Sequence, residues 1–305
     1  MANEHDHNPN PSVYGGQAVI EGVMIRGIHV YSVAARHPDG SIHTLLKPVP
    51  QWAVNKWRRI PFVRGTLVLA ESLTIGMRAL TYSAQVAAGE EESDEPISPL
   101  ALGLTIALSL GLGVGLFFVL PLVITHTVID RFTVSSILSN LGEGVLRLLI
   151  IFAYLGLIGM MPSIKRVFAY HSAEHMSVHA HEANLTLDNE HVRMFPAAHP
   201  RCGTAFLLTV MLVSVAVFAL MGTPDLPIRI LSRIVFIPVI AGISYEVIRF
   251  NAKHSGNVLV RMGTVPSLML QRLTTRKPDD DQIEVAIAAM TAAIQGDQQA
   301  IALAS

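Results

Sequence analysis

Two histidines four residues apart bracket a glutamate in the segment His171-Ser-Ala-Glu174-His175. Six of the 13 histidines in the chain, at 171, 175, 179, 181, 191 and 199, fall in this one region. On a helix turning about 100° per residue, His175 lies about 40° and Glu182 about 20° from His171, with Glu174 offset to about −60°. Two imidazoles at that spacing grip one divalent ion, and Zn²⁺ takes nitrogen ligands with a carboxylate as a common third. His171, His175 and Glu182 are therefore the expected metal ligands, with zinc the expected ion. Glu174, beside that face, is the expected general base, taking a proton from water that the ion acidifies. Inverted zinc peptidases use the same His-x-x-Glu-His spacing. They are soluble enzymes, however, and a five-residue match does not assign the chain to them. A solvated helix beside a membrane, with its histidines among lipid headgroups, is the structural alternative. His179 and His181 carry no assignment at this stage, and His191 reads as an exposed loop residue.

A second group, His199-Pro-Arg-Cys202-Gly-Thr204, stands at the start of an apolar run. His199 is expected to complete the metal shell. Cys202, three residues on, offers a thiolate suited to zinc or iron. A plain helix-entry turn, with Arg201 on a lipid phosphate, is the alternative. Glu246 precedes Arg249 by three residues, which fits an ion pair on one helix or a carboxylate turned towards the histidines.

The elements that must hold these residues are apolar. Of 305 residues, 51% are hydrophobic and 15% charged, against about 25% charged in an ordinary soluble domain. No Asp, Glu, Lys or Arg occurs from Pro96 to Ile129, Leu148 to Ser163, or Cys202 to Pro224. A bilayer core needs about 20 apolar residues per helix. The expected fold is thus an α-helical polytopic membrane protein with about four transmembrane helices, near 99–127, 145–165, 203–222 and 228–250. A small N-terminal β unit and amphipathic helices are expected on its cytoplasmic side.

Along the chain, 1–12 is a polar leader with no apolar signal segment. Residues 13–61 form the β unit, with strands over 17–26, 31–36 and 42–49 and a turn at Pro38-Asp39-Gly40. In 62–98, Arg64, Glu71 and Arg78 recur every seven residues and share a helix face. That segment is an amphipathic helix, on the membrane or on the β unit, followed by an acidic linker; a buried fifth span is the alternative. The first transmembrane hairpin takes 99–165, the histidine-rich loop 166–202, and the second hairpin 203–250. The tail, 251–305, holds a helix with capping-box spacing at Asp281-Gln-Ile-Glu284. The segments before, between and after the hairpins hold 18 of the 22 basic residues. Positive-inside bias then puts both termini and the histidine loop in the cytoplasm, at the cytoplasmic membrane. A net charge of −1 gives no sign of nucleic acid, and one cysteine excludes an intrachain disulfide.

Several segments together resemble the YqhQ family, bacterial membrane proteins labelled predicted metal-dependent enzymes, without an established substrate or reaction. They are Gly15-Gly-Gln-Ala-Val-Ile-Glu21-Gly-Val-Met-Ile-Arg26-Gly27, Arg64-Gly with Glu71-Ser-Leu, the two histidine motifs, Ile243-Ser-Tyr-Glu246, Leu273 to Asp280, and Gln282 to Ile287. The resemblance runs from about residue 13 to 290. It implies functional roles for Glu21, Glu174 and Glu246 and for His171, His175 and His199. His181 stands where the family pattern has an aromatic residue, and Lys277 where it has an acidic one.

Two function classes follow. One is a metal-dependent enzyme at the cytoplasmic membrane surface, a hydrolase acting on a membrane-associated peptide or lipid. The other is a non-enzymatic, metal-responsive scaffold or transport component, against which the scarcity of charge in the spans counts. A membrane di-iron oxidase fits poorly, because no His-His doublet occurs. His126, Asp130 and Glu143 are expected at the opposite membrane face from the histidines.

Overall fold

The computed structural model describes residues 14–50, 52, 56–89, 99–132, 135–199, 202–254 and 256–304. The polar leader with its two histidines, the acidic linker and Arg201 lie outside them.

Four strands form an antiparallel meander: β1 (Gly15–Val19), β2 (Gly22–Arg26), β3 (Val30–Arg36) and β4 (Ile42–Pro48). The single strand expected over 17–26 is two, because Ile20 and Glu21 make a two-residue hairpin turn, with Val19 paired to Gly22. Glu21 takes φ 48° there. Gly22 leaves room for β3, since a Cβ would stand 2.3 Å from the Ala34 carbonyl oxygen. The expected turn at Pro38–Gly40 is present, with Gly40 at φ 93°.

Side chains alternate across a strand, and both faces of this sheet are covered. Val23, Ile25 and Ala34 pack against α5 (Pro162–Glu182) and α11 (Asp280–Ala304). Val19, Met24, Tyr31, Val33 and Ala35 pack against Ile75, Ala79, Tyr82 and Val86 of α1 (Val63–Ala88). The expected small N-terminal sheet is thus present, and it forms the middle layer of a three-layer α/β/α unit. α1 lies on this unit, and it is not one of the described helices long and apolar enough to cross a membrane. Two members of its charged stripe are paired, Arg64 with Glu246 and the buried Glu71 with Arg26 and Arg58 at 2.9 and 2.8 Å, while Arg78 is exposed. Glu246 thus bonds neither Arg249 nor the histidines.

Helix α11 starts two residues earlier than its expected capping box implies. Asp279 accepts from the Gln282 N–H at 2.9 Å, and Gln282 accepts from the Asp279 N–H at 3.1 Å, so the reciprocal cap sits at 279–282. Near the other end, the buried Asp297 accepts from the backbone N–H groups of Ile28, His29 and Val30 at 2.6, 2.7 and 3.1 Å. One carboxylate of the last helix thereby fixes the β2–β3 turn.

Among the described residues, three helices are long and apolar enough to cross a membrane. They are residues Gly103–Arg131, which include α2 (Pro99–Val114) and α3 (Leu120–Val128) joined by a π turn, then α4 (Ser136–Ile158) and α7 (Gly203–Met221). A fourth arises if α8 (Leu226–Val235) and α9 (Ile237–Lys253), bent by 49°, count as one. The second span begins nine residues before the expected 145 and ends at Ile158. Its first half carries Asn140, Glu143 and Arg147, all buried, and their polarity hides it from an apolar window. Gly159 closes α4, and Pro162 opens α5, its fixed φ suiting the first helical turn.

The helical bundle holds more charge than the sequence suggests. Glu143 bonds Arg147 and Arg233, each at 2.5 Å, and lies 3.5 Å from Arg229, which also bonds Asp130 at 2.7 Å. All three guanidiniums are buried, and Arg233 stacks on the Phe218 ring at 3.9 Å. On α8 the polar face turns inward and Ile228, Leu231 and Val235 face out. These arginines come from span edges, so a count of charge-free runs does not see them. Removing one partner of a buried pair costs about 3–5 kcal/mol. Glu143→Gln is therefore expected to lower the thermal midpoint of the detergent-purified protein sharply, and an unchanged midpoint would contradict this role.

Candidate metal centre on helix α5

Helix α5 is buried almost all round, since between Phe168 and His181 only His171 and His179 are partly exposed. Its histidines at 171, 175 and 179 stand one turn apart on one face. Buried imidazoles must satisfy their ring nitrogens, and here backbone carbonyls take one nitrogen of each. His171 Nδ1–H donates to the Thr274 carbonyl at 2.8 Å, and His175 Nδ1–H to that of Ala197 at 2.5 Å. His179 Nε2–H donates to the Ala198 carbonyl at 3.1 Å. Such bonds fix each tautomer and leave the opposite nitrogen as a lone-pair donor, as in metal-ligating histidines. The nitrogens opposite these bonds are Nε2 of His171 and His175 and Nδ1 of His179.

His171 Nε2 lies 3.1 Å from Cys202 Sγ. Cys202 is the N-cap of α7, and its sulfur also accepts from the Thr204 N–H and hydroxyl at 3.4 and 3.2 Å. His175 Nε2 is buried and makes no hydrogen bond, with a Glu174 oxygen 3.6 Å away. The donor atoms of His171, His175 and Cys202 lie within 4.8 Å of one another, and those of His179, Glu182 and His199 form a second such group. The rings run in one row: 4.3 Å between His171 and His175, 5.7 Å on to His199, and 4.3 Å from His199 to His179. Two nitrogens with a thiol, and two nitrogens with a carboxylate, are both donor sets that divalent transition metals accept.

The expected set of His171, His175, Glu182 and His199 is therefore divided. Glu182 shares a helix face with His171 but stands three turns away, about 16 Å along the axis at 1.5 Å per residue. Angle alone overlooks that rise. Glu182 and His199, 3.5 Å apart, join His179 instead. Cys202, offered by the sequence as a thiolate ligand, stands beside His171 and His175, and His179, left without an assignment by the sequence, joins Glu182 and His199. His181 lies off the row, edge-on to Tyr14 at 5.0 Å, and its burial holds its pKa down. His191 pairs with Asp188 at 2.8 Å, away from the row.

Glu174 is buried against β1. Burial pushes its pKa up to about 7, although the His171 charge and the Gly16 N–H bond pull the other way. Gly16 permits this approach, since a Cβ there would meet the Met24 carbonyl oxygen at 2.2 Å and the Glu174 Cγ at 3.1 Å. Burial also pushes His199 down to about 3, with the neighbouring charges of His179 and His175 adding to the effect. Glu21 turns away from the row. It bonds Arg166 at 2.6 Å and Tyr170 at 3.3 Å, and Arg166 holds its carboxyl below the usual range.

His199 is held by a residue that sequence spacing did not single out. Gln271 of α10 (Val258–Thr274) accepts from the His199 N–H at 2.9 Å and donates to its carbonyl at 2.8 Å, fully buried. The same helix end supplies the Thr274 carbonyl to His171. A cleft of about 340 Å³, lined by Met176, Phe195, Ala197 and Thr275, opens beside these carbonyls. A second cavity, about 290 Å³ and lined by Arg26, Arg58 and Glu71, lies at the Gly15–Gly16 strand beside α1.

The fold and site together define a helical protein with candidate membrane spans and an α/β unit bearing two His/Cys/Glu groups. Residues 60–296 match the family model described as "Protein of unknown function (DUF1385)". The chain is 34% identical over 289 residues to the "Uncharacterized protein YqhQ" of Bacillus subtilis (strain 168), covering 91% of each. The chain belongs to this family. No solved structure matches it.

An unpaired buried polar group costs about 1–3 kcal/mol. Gln271→Leu, which strands both peptide groups of His199, should lower the thermal midpoint more than Gln271→Glu, which keeps the acceptor. Equal midpoints for the two variants would show that the amide does not hold His199.

Proposed function

We propose that this chain is a multi-pass protein of the cytoplasmic membrane whose α/β unit, on the cytoplasmic side, is a metal-dependent enzyme. The apolar helices support the first part. A single observation carries the second: two imidazoles locked by backbone carbonyls turn their Nε2 atoms towards one point beside Cys202, with a buried glutamate adjacent. In this reading His171, His175 and Cys202 hold a divalent ion, zinc first among candidates. When bound, such an ion supplies Lewis acidity. Glu174, with its pKa raised to about 7, is the general base, because near-neutral carboxyls both take and return protons at working pH. Gly16 holds one side of that carboxyl through its N–H. The cleft at Met176, Phe195 and Ala197 admits an extended substrate. Hydrolysis of a membrane-associated peptide or lipid is the reaction class these residues suit.

The test is elemental analysis of the full chain purified in mild detergent. Wild type and Glu174→Gln should both carry a transition metal, and His171→Ala/His175→Ala should lose at least one equivalent. Metal-free wild type after careful preparation overturns the proposal. The alternative, a metal-responsive scaffold or transport component, is favoured by the buried Glu143–arginine network of the bundle. It predicts metal- or proton-driven flux in proteoliposomes that Glu143→Gln abolishes and Glu174→Gln spares.

A further inference from the structure

The row of imidazoles does not end where one ion would sit. The proposed site uses His171, His175 and Cys202. Beyond it, His179 and Glu182 on the next turn of α5 face His199, and the three donor atoms again lie within 4.8 Å of one another. His179 presents Nδ1 to this group, because its Nε2–H is given to the Ala198 carbonyl. Its ring lies parallel to that of Phe195, 12° between planes and 5.8 Å apart, which fixes the ring plane. His199 is held from behind by the Gln271 amide. Three side chains of metal-binding type, two of them with their supports hydrogen-bonded to backbone, thus converge on a second point.

We propose that this family member binds two divalent cations, the second held by His179, Glu182 and His199 next to the first. This rests on the one-ion reading above and extends it. The two donor sets differ in kind. The first contains sulfur and favours a soft ion such as zinc, whereas the second, two nitrogens and a carboxylate, accepts harder ions as well. Each set brings one anionic ligand to a dication, so neither point concentrates charge of one sign. Phe195, which stacks on His179, and Ala197, whose carbonyl holds His175, both line the cleft of about 340 Å³, so both points border the same cleft.

Cobalt(II) titration of the metal-stripped full chain in detergent separates the two ideas, since only a sulfur ligand gives a near-ultraviolet thiolate-to-cobalt band. Wild type should take up two equivalents, with the thiolate band saturating at one. Glu182→Gln and His179→Ala should each lower uptake from two to one while keeping the band. Cys202→Ser should lose the band and still bind at the second site. Glu182 is partly exposed, so its glutamine variant tests the site without opening the core, and a retained thiolate band confirms that α5 is folded. One equivalent in wild type, unchanged in Glu182→Gln and His179→Ala, overturns the second ion and leaves the first. Two equivalents that neither variant reduces also overturn it, because the second ion then binds elsewhere. No uptake at all overturns both.

Discussion

Everything about the site depends on one constraint: a helix buried on nearly every side carries four imidazoles, and the three in the row must each place a ring N–H. The neighbouring backbone solves this. Carbonyls at Thr274, Ala197 and Ala198 take those protons, and the opposite nitrogens turn along one face. Had the carbonyls been absent, the same histidines would rotate, protonate or draw in water, and no donor row would exist. Segments flanking α5 are therefore as much a part of the site as the histidines are.

Those flanking segments come from far away in sequence. α10 brings Thr274 and Gln271, the stretch before α7 brings Ala197, Ala198 and His199, and β1 brings Gly16. The sheet is covered on one face by α1 and on the other by α5 and α11. The site sits where the α/β unit meets the ends of the apolar helices, because Cys202 caps α7 and α5 follows α4 after a three-residue break.

Much of this was legible in the sequence, and the parts that were not share a cause. Charge-free runs and the Pro-Asp-Gly turn are local signals, and they located the apolar helices and the meander. The spacing of His171, His175 and Glu182 gives a helix face but not the distance along it, so it does not reveal that Glu182 stands with His199 and His179, away from His171 and His175. Gln271 and Asp297 escaped notice because an isolated amide or carboxylate carries no spacing pattern; only a fold shows that their partners are backbone groups far away in the chain. Glu143 and its arginines escaped for a related reason. Glu143 and Arg147 stand at the margin of one apolar run and Arg229 and Arg233 at the margin of another, and pairing between the two helices leaves no trace in either. The resemblance to the YqhQ family pointed to Glu21 and Glu246, and both prove to be partners of arginines that join the layers, Arg166 and Arg64.

The bond from Asp297 to the β2–β3 turn has a consequence in time. Strands β1 to β4 leave the ribosome first, yet the face they present to α5 and α11 stays uncovered until residues 280–304 are made. Every apolar helix of the bundle is synthesised in between. The sheet must therefore wait, one face open, while the intervening segments are made, and its turn is pinned only when Asp297 emerges. Closure of that face thus follows the synthesis of every histidine of the row.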